Sequence, residues 1–153
     1  MRARNPLYIQ AKPPPEVQAQ IVALPRNDPG RGPELLHVTL LTLYDLHHAK
    51  PDWLPATIAA LESFAGQAFP LRFDRIENRK AVTLRSRTPQ PEARALQAAL
   101  VRHLLESKTP IMDGTTPEPH LTINYHGDRL NAQKIPPIGW MVEEILLVES
   151  VVG

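Results

Sequence analysis

At 153 residues and 42% apolar side chains, the chain is long enough for one domain with a packed core and too apolar to stay disordered. A net charge of +1 leaves no broad electrostatic footprint for long duplex nucleic acid, although a short or single-stranded phosphate ligand stays open. Without a single cysteine, disulfides, thiolate nucleophiles and thiolate metal sites are excluded.

The N-terminal Met1-Arg-Ala-Arg-Asn-Pro is charged, and the apolar run behind it is too short for a signal or a membrane span, so the expected location is the cytoplasm. Residues 7–10 read as a short strand. Pro13 to Pro15 open a helix from Glu16 to about Leu24, with Val17, Ile21 and Leu24 on one face. A Pro/Gly loop follows at 25–33. The run 35–43, LLHVTLLTL, is aliphatic, β-branched and short, and reads as a buried strand. Asp52 is the expected N-cap of a second helix, 53–65, closed by Gly66.

Alternation over 69–76 predicts a strand, and a polar turn at Asn78-Arg79-Lys80 leads into 81–85, completing a hairpin. The longest helix runs from Pro91 to about Glu106, with Leu96, Leu100 and Leu104 inward. A second Pro/Gly/Thr loop, 109–119, precedes a strand at 120–125, and a last strand is expected over 140–148. The order β-α-β-α-β-β-α-β-β gives an α+β class, read as one domain over 1–153 with two pseudo-repeat lobes. Each half has a helix, then a Pro/Gly loop, then a strand carrying His-x-Thr.

Side chains two apart on a strand share a face, so His37 lies beside Thr39 and His120 beside Thr122. If the two strands are neighbours, two imidazoles and two hydroxyls surround one centre. Imidazole titrates near neutral pH, so one ring can take a proton from water while the other protonates a leaving alkoxide. The threonines can donate to non-bridging phosphate oxygens. Such chemistry requires no metal or other cofactor. A lone strand histidine is more often structural, and threonine in a strand follows from β-propensity alone. Two matching copies in matching halves favour function. The remaining histidines, His47, His48 and His103, read as solvated or packed. No H-E-x-x-H, Gly-rich phosphate loop or G-x-S-x-G occurs.

The segments His37-Val-Thr-Leu40 and His120-Leu-Thr-Ile123 resemble the duplicated H-h-[S/T]-h hallmark of the two-histidine (2H) phosphoesterase superfamily, h being apolar. Within it, the chain is similar to the 2′-5′ RNA ligase-like proteins, which include RNA 2′,3′-cyclic phosphodiesterases. The resemblance covers nearly the whole chain. It implies a bilobal α+β fold, each lobe with an antiparallel sheet and helices, and both motifs facing a central cleft. It also implies that His37 protonates the leaving oxygen and His120 activates water, turning a 2′,3′-cyclic phosphate into a 2′-phosphomonoester. Residue chemistry alone leaves that order open. The implied partner is an RNA end or cyclic nucleotide, with no membrane and no metal, acted on by a monomer. Relatives often carry arginine five positions after the second histidine; here that residue is Tyr125. Tyr44, Tyr125 and His126 are candidate substrate contacts, and Arg26, Arg31 and Lys108 are candidate sources of positive charge. The alternative function is an RNA- or nucleotide-binding module that keeps the cleft without turnover.

Overall fold

The structure, a computed structural model, describes residues 5–111 and 116–150. The N-terminal residues 1–4 and the middle of the 109–119 loop, both read above, lie outside the described residues. Among the described residues, seven strands, β1 (Pro6–Ala11), β2 (Val38–Asp45), β3 (Phe69–Asn78), β4 (Val82–Arg85), β5 (Leu121–Asn124), β6 (Gln133–Val142) and β7 (Leu146–Glu149), combine with helices α1 (Pro15–Val22), α2 (Trp53–Glu62) and α3 (Pro91–Glu106). The α+β class is the one read from the sequence.

The strands form one hydrogen-bonded order, β6-β3-β4-β5-β2-β1-β7, in which every described pairing is antiparallel. The motif strands β2 and β5 are neighbours at its middle. They meet at one register pair, Val38 with Leu121, with β1 and β7 on one side and β4, β3 and β6 on the other. Two sub-sheets are thus continuous through a narrow join.

Val38, Leu40, Leu84, Leu121 and Ile123 fill one face of the sheet and share a core with Val17 and Ile21 of α1, Ala60 of α2, and Leu96, Leu100 and Leu104 of α3. Full burial of each Val, Leu or Ile in this layer stabilises the fold by roughly 1.5–3 kcal/mol. Gln97, buried among them, donates to the carbonyls of Leu40 and Pro117, at 3.0 and 2.9 Å. One side chain of α3 therefore ties the first motif strand to the segment entering the second. The opposite face carries the polar members of the alternation.

Several local expectations are corrected. Leu35 belongs to a 3-10 turn, Pro33–Leu35, and β2 starts at Val38. Asp52 stands at the N-cap of α2 as expected but makes no side-chain cap bond, and α2 ends at Glu62, short of Gly66. The single last strand is two, β6 and β7, divided at residues 143–145. β6 also starts earlier than expected. It accommodates Pro136 and Pro137 because it is an edge strand, and its register with β3 is irregular between Phe73 and Arg75, opposite the two prolines.

Candidate active site

The join between β2 and β5 sets the geometry of the site. Carrying the Val38–Leu121 register one residue either way places His37 opposite Thr122 and Thr39 opposite His120. Each histidine therefore faces the other motif's threonine, all four on the same side of the sheet. Together they line one cleft of about 460 Å³ with Tyr8, Gln10, Lys12, Arg31, Leu35, Tyr125 and the end of β7.

The two imidazoles are fixed in the same way. His37 Nδ1 lies 2.8 Å from the Leu35 carbonyl, and His120 Nδ1 lies 2.9 Å from the Glu118 carbonyl, two residues upstream in both cases. A carbonyl only accepts, so each Nδ1 carries a hydrogen, and the neutral ring presents a bare Nε2. The two motifs are therefore alike down to the tautomer. His37 is half-buried, and its pKa lies below the ordinary value. Burial is the main cause, the Leu35 carbonyl opposes it, and the positive charges of Arg31 and Lys12 and the neighbouring His120 depress it further. The cleft by itself thus disfavours a proton on His37 and, through those same cations, favours an anion.

The loop before the first motif is anchored to the segment after the second. Arg26, in the left-handed region at φ 69° and with its side chain only 7% exposed, grips Asp128 through two bonds of 2.7 and 2.8 Å and donates to the Asn131 carbonyl at 3.1 Å. The Asp28 N–H donates to the Ile123 carbonyl at 2.9 Å. This clamp sets Arg31 over the ring of Tyr125, 4.4 Å from guanidinium carbon to ring centre. Such a contact contributes roughly 0.5–1 kcal/mol at an exposed site. A guanidinium from the first loop thus stacks on Tyr125, and both residues line the cleft.

His37, Thr39, His120, Thr122, Tyr125 and Arg31 are brought together; the other candidates are not. Tyr44 is buried, its hydroxyl 2.6 Å from Thr57 Oγ1 and its ring edge-on to Trp53, so it packs in the core, outside the cleft lining. The register of β2 with β1 shifts at Leu40 and again between Thr42 and Asp45, so Thr39, Thr42 and Asp45 stay half-exposed while Leu40, Leu41, Leu43 and Tyr44 are buried. His126 is exposed outside the cleft lining, with its N–H on Asn124 Oδ1. Arg26 is committed to the clamp, and Lys108 closes α3 in the left-handed conformation at φ 57°. His103 binds the Ala60 carbonyl and Ser63 between two helices.

Tyr8, Gln10 and Lys12 were not singled out from the sequence. Their signal was present: they alternate with Leu7, Ile9 and Ala11, which are buried in the core. Gln10 pairs with Thr39 in the register and is itself nearly buried. A second cavity, about 370 Å³, lies against the apolar face between α2, α3 and the β6–β7 turn, lined by Ile9, Phe64, Phe69, Leu96 and Leu147. It contains no histidine or hydroxyl side chain and is set apart from the motif face.

Residues 13–153 match the family model described as the 2'-5' RNA ligase superfamily. No curated protein matches the chain. Among solved structures, that of E. coli LigT complexed with 3'-AMP is similar over 98% of this chain and 90% of that one, at 20% identity and a TM-score of 0.73. The crystal structure of a phosphoesterase covers the same shares at 21% identity and a TM-score of 0.74. TT0787 of Thermus thermophilus is similar over 97% of this chain and 95% of that one, at 23% identity and a TM-score of 0.59.

Proposed function

Given that the chain belongs to the 2'-5' RNA ligase superfamily, we propose that it hydrolyses 2′,3′-cyclic phosphate or 2′-5′ phosphodiester bonds in RNA ends or nucleotides, without a metal, using His37 and His120 as an acid–base pair. The observation that carries this reading is the reciprocal geometry: each Nδ1 is bound to a carbonyl, each Nε2 is left for chemistry, and each ring faces the other motif's threonine.

With a 2′,3′-cyclic phosphate, His120 Nε2 takes a proton from water as its oxygen bonds to phosphorus. The bond from phosphorus to O3′ breaks, and Nε2–H of protonated His37 delivers a proton to O3′, leaving a 2′-phosphomonoester and a free 3′-hydroxyl. Thr39 and Thr122 donate to the non-bridging oxygens, whose charge grows in the transition state. Each proton transfer is worth typically about 10²–10⁴-fold in rate. The assignment of acid and base follows the family resemblance. It requires that His37, depressed by burial and by Arg31 and Lys12, regain its proton when the phosphate's negative charge offsets those cations.

Arg31, stacked over Tyr125 in the cleft, supplies positive charge for the phosphate, which both this reading and a binding module without turnover require; turnover separates the two. The E. coli LigT complexes, among them those with 3'-AMP, phosphate and ATP, make a nucleotide phosphate the natural probe. The test is turnover of 2′,3′-cyclic nucleotides in excess EDTA, with the product's phosphate position read by phosphorus NMR. A 2′-phosphomonoester at undiminished rate is expected; tight binding without product across all four bases would support the binding module instead.

A further inference from the structure

The row of side chains that contains His120 does not end at the motif. Carrying the Leu84–Leu121 register of β4 and β5 one residue further puts Arg85 opposite His120. Arg75 of β3 then faces Arg85 on one side and Lys134 of β6 on the other. Thr39, His120, Arg85, Arg75 and Lys134 thus form one cross-strand line over five adjacent strands, on the side of the sheet that bears the catalytic pair. With neighbouring strands about 4.8 Å apart, Lys134 stands roughly 14 Å from His120.

Like charges directly opposite one another destabilise a sheet, and here that occurs twice in succession. Local carboxylates neutralise the row only in part. Glu77 is shared by three guanidinium groups, Arg75 at 3.7 Å, Arg79 at 3.2 Å and Arg85 at 3.9 Å. Arg85 has Glu118 in addition, at 3.3 Å. Among the described residues Lys134, which is exposed, has no carboxylate within ion-pair distance. An overall charge near zero therefore conceals a cationic line leading straight out of the active site.

Resting on the phosphoesterase reading above, we infer that Arg75 and Lys134, aligned with His120 through the nearly buried Arg85, form a track for the backbone phosphates of a single-stranded RNA whose reacting end lies between His37 and His120. The preferred substrate is then an oligonucleotide end, not a free mononucleotide. Phosphates along the row offset the cross-strand repulsion, and the alignment with His120 feeds the terminal phosphate to the catalytic pair. A purely structural network centred on Glu77 would account for Arg79 and Arg85 but gives no role to Lys134.

The experiment compares a 2′,3′-cyclic mononucleotide with an oligonucleotide ending in a 2′,3′-cyclic phosphate, over 50–200 mM salt, for wild type, Lys134→Gln, the double variant Arg75→Gln/Lys134→Gln, and Arg102→Gln on the exposed side of α3. Each phosphate contact on a single strand contributes about 0.7 to the slope of log affinity against log salt, so the double variant should lose about 1.4. Its oligonucleotide KM then rises about sevenfold less than that of wild type across this fourfold salt range. Lys134→Gln, at an exposed position, should show half the loss in slope, and Arg102→Gln none. Equal KM values for the two wild-type substrates, or variants that weaken both substrates by one common factor, would overturn the track. Should wild type turn over neither substrate, the phosphoesterase reading fails; anisotropy with a 3′-phosphate-ended oligonucleotide still reads the track, and an unchanged slope in the double variant overturns it.

Discussion

Replacing Tyr44 by phenylalanine separates a core residue from a substrate contact. Thr57 Oγ1 donates its one proton to the Trp53 carbonyl at 2.9 Å, so the 2.6 Å bond between the two hydroxyls is donated by Tyr44. Tyr44→Phe removes that single donor and leaves Thr57 still bonded to the carbonyl. The cost is one net hydrogen bond, about 0.5–1.5 kcal/mol. For a chain of this size each kcal/mol lowers the melting temperature by roughly 2–4 °C, so thermal unfolding followed by circular dichroism should shift by about 1–6 °C. Tyr44→Ala also removes the ring packed edge-on against Trp53 and should cost about 3–5 kcal/mol. Cyclic phosphate turnover by Tyr44→Phe, assayed well below melting, should stay within about twofold of wild type, as expected for a change far from the reacting atoms. An unchanged melting temperature together with a steep rise in KM would refute this placement.

Other consequences concern the cleft itself. Folded His37 takes up its proton at lower pH than the unfolded chain does, so stability falls as pH drops below about 6.5 and is unaffected above it. His37→Gln removes that penalty, and its urea midpoint should gain on wild type between pH 7 and pH 5; a constant difference would contradict the burial of His37. Removing Arg31's charge with Arg31→Gln should raise the His37 titration, read by proton NMR, and weaken phosphate binding; a titration that does not move would show that Arg31 acts elsewhere. Thr39→Ala and Thr122→Ala should each lower kcat on the order of 10²-fold, with serine restoring most of it. Losses confined to KM would show that the threonines bind ground state and transition state alike.

Much of this site was legible because its signals are local. The i, i+2 spacing in His37-Val-Thr39 and His120-Leu-Thr122 fixes a shared face in any strand, and the alternating Val38, Leu40, Leu121 and Ile123 are buried as that spacing requires. The register that brings the two motifs together is not local. It depends on β2 and β5 meeting at Val38 and Leu121, which no window of either strand encodes. The cationic row was hidden for the same reason, since Arg75, Arg85 and Lys134 come from three separate strands. Tyr44 misled because nearness to the motif in sequence does not reveal the two register shifts that separate it from Thr39, and its partners Trp53 and Thr57 come from α2. The start of β6 at Gln133 was not read from the sequence, and its Pro136–Pro137 pair is accommodated because the strand lies at the sheet edge.

The central claim, that His37 and His120 act as one acid–base pair on one phosphate, is tested most directly by the kcat of His37→Ala, His120→Ala and the double variant on a 2′,3′-cyclic phosphate. Each single variant should lose about 10²–10⁴-fold, and the double variant should lose little more than the worse single, because the two transfers serve one displacement. Undiminished turnover in either single variant, or losses that multiply in the double variant, would contradict the account.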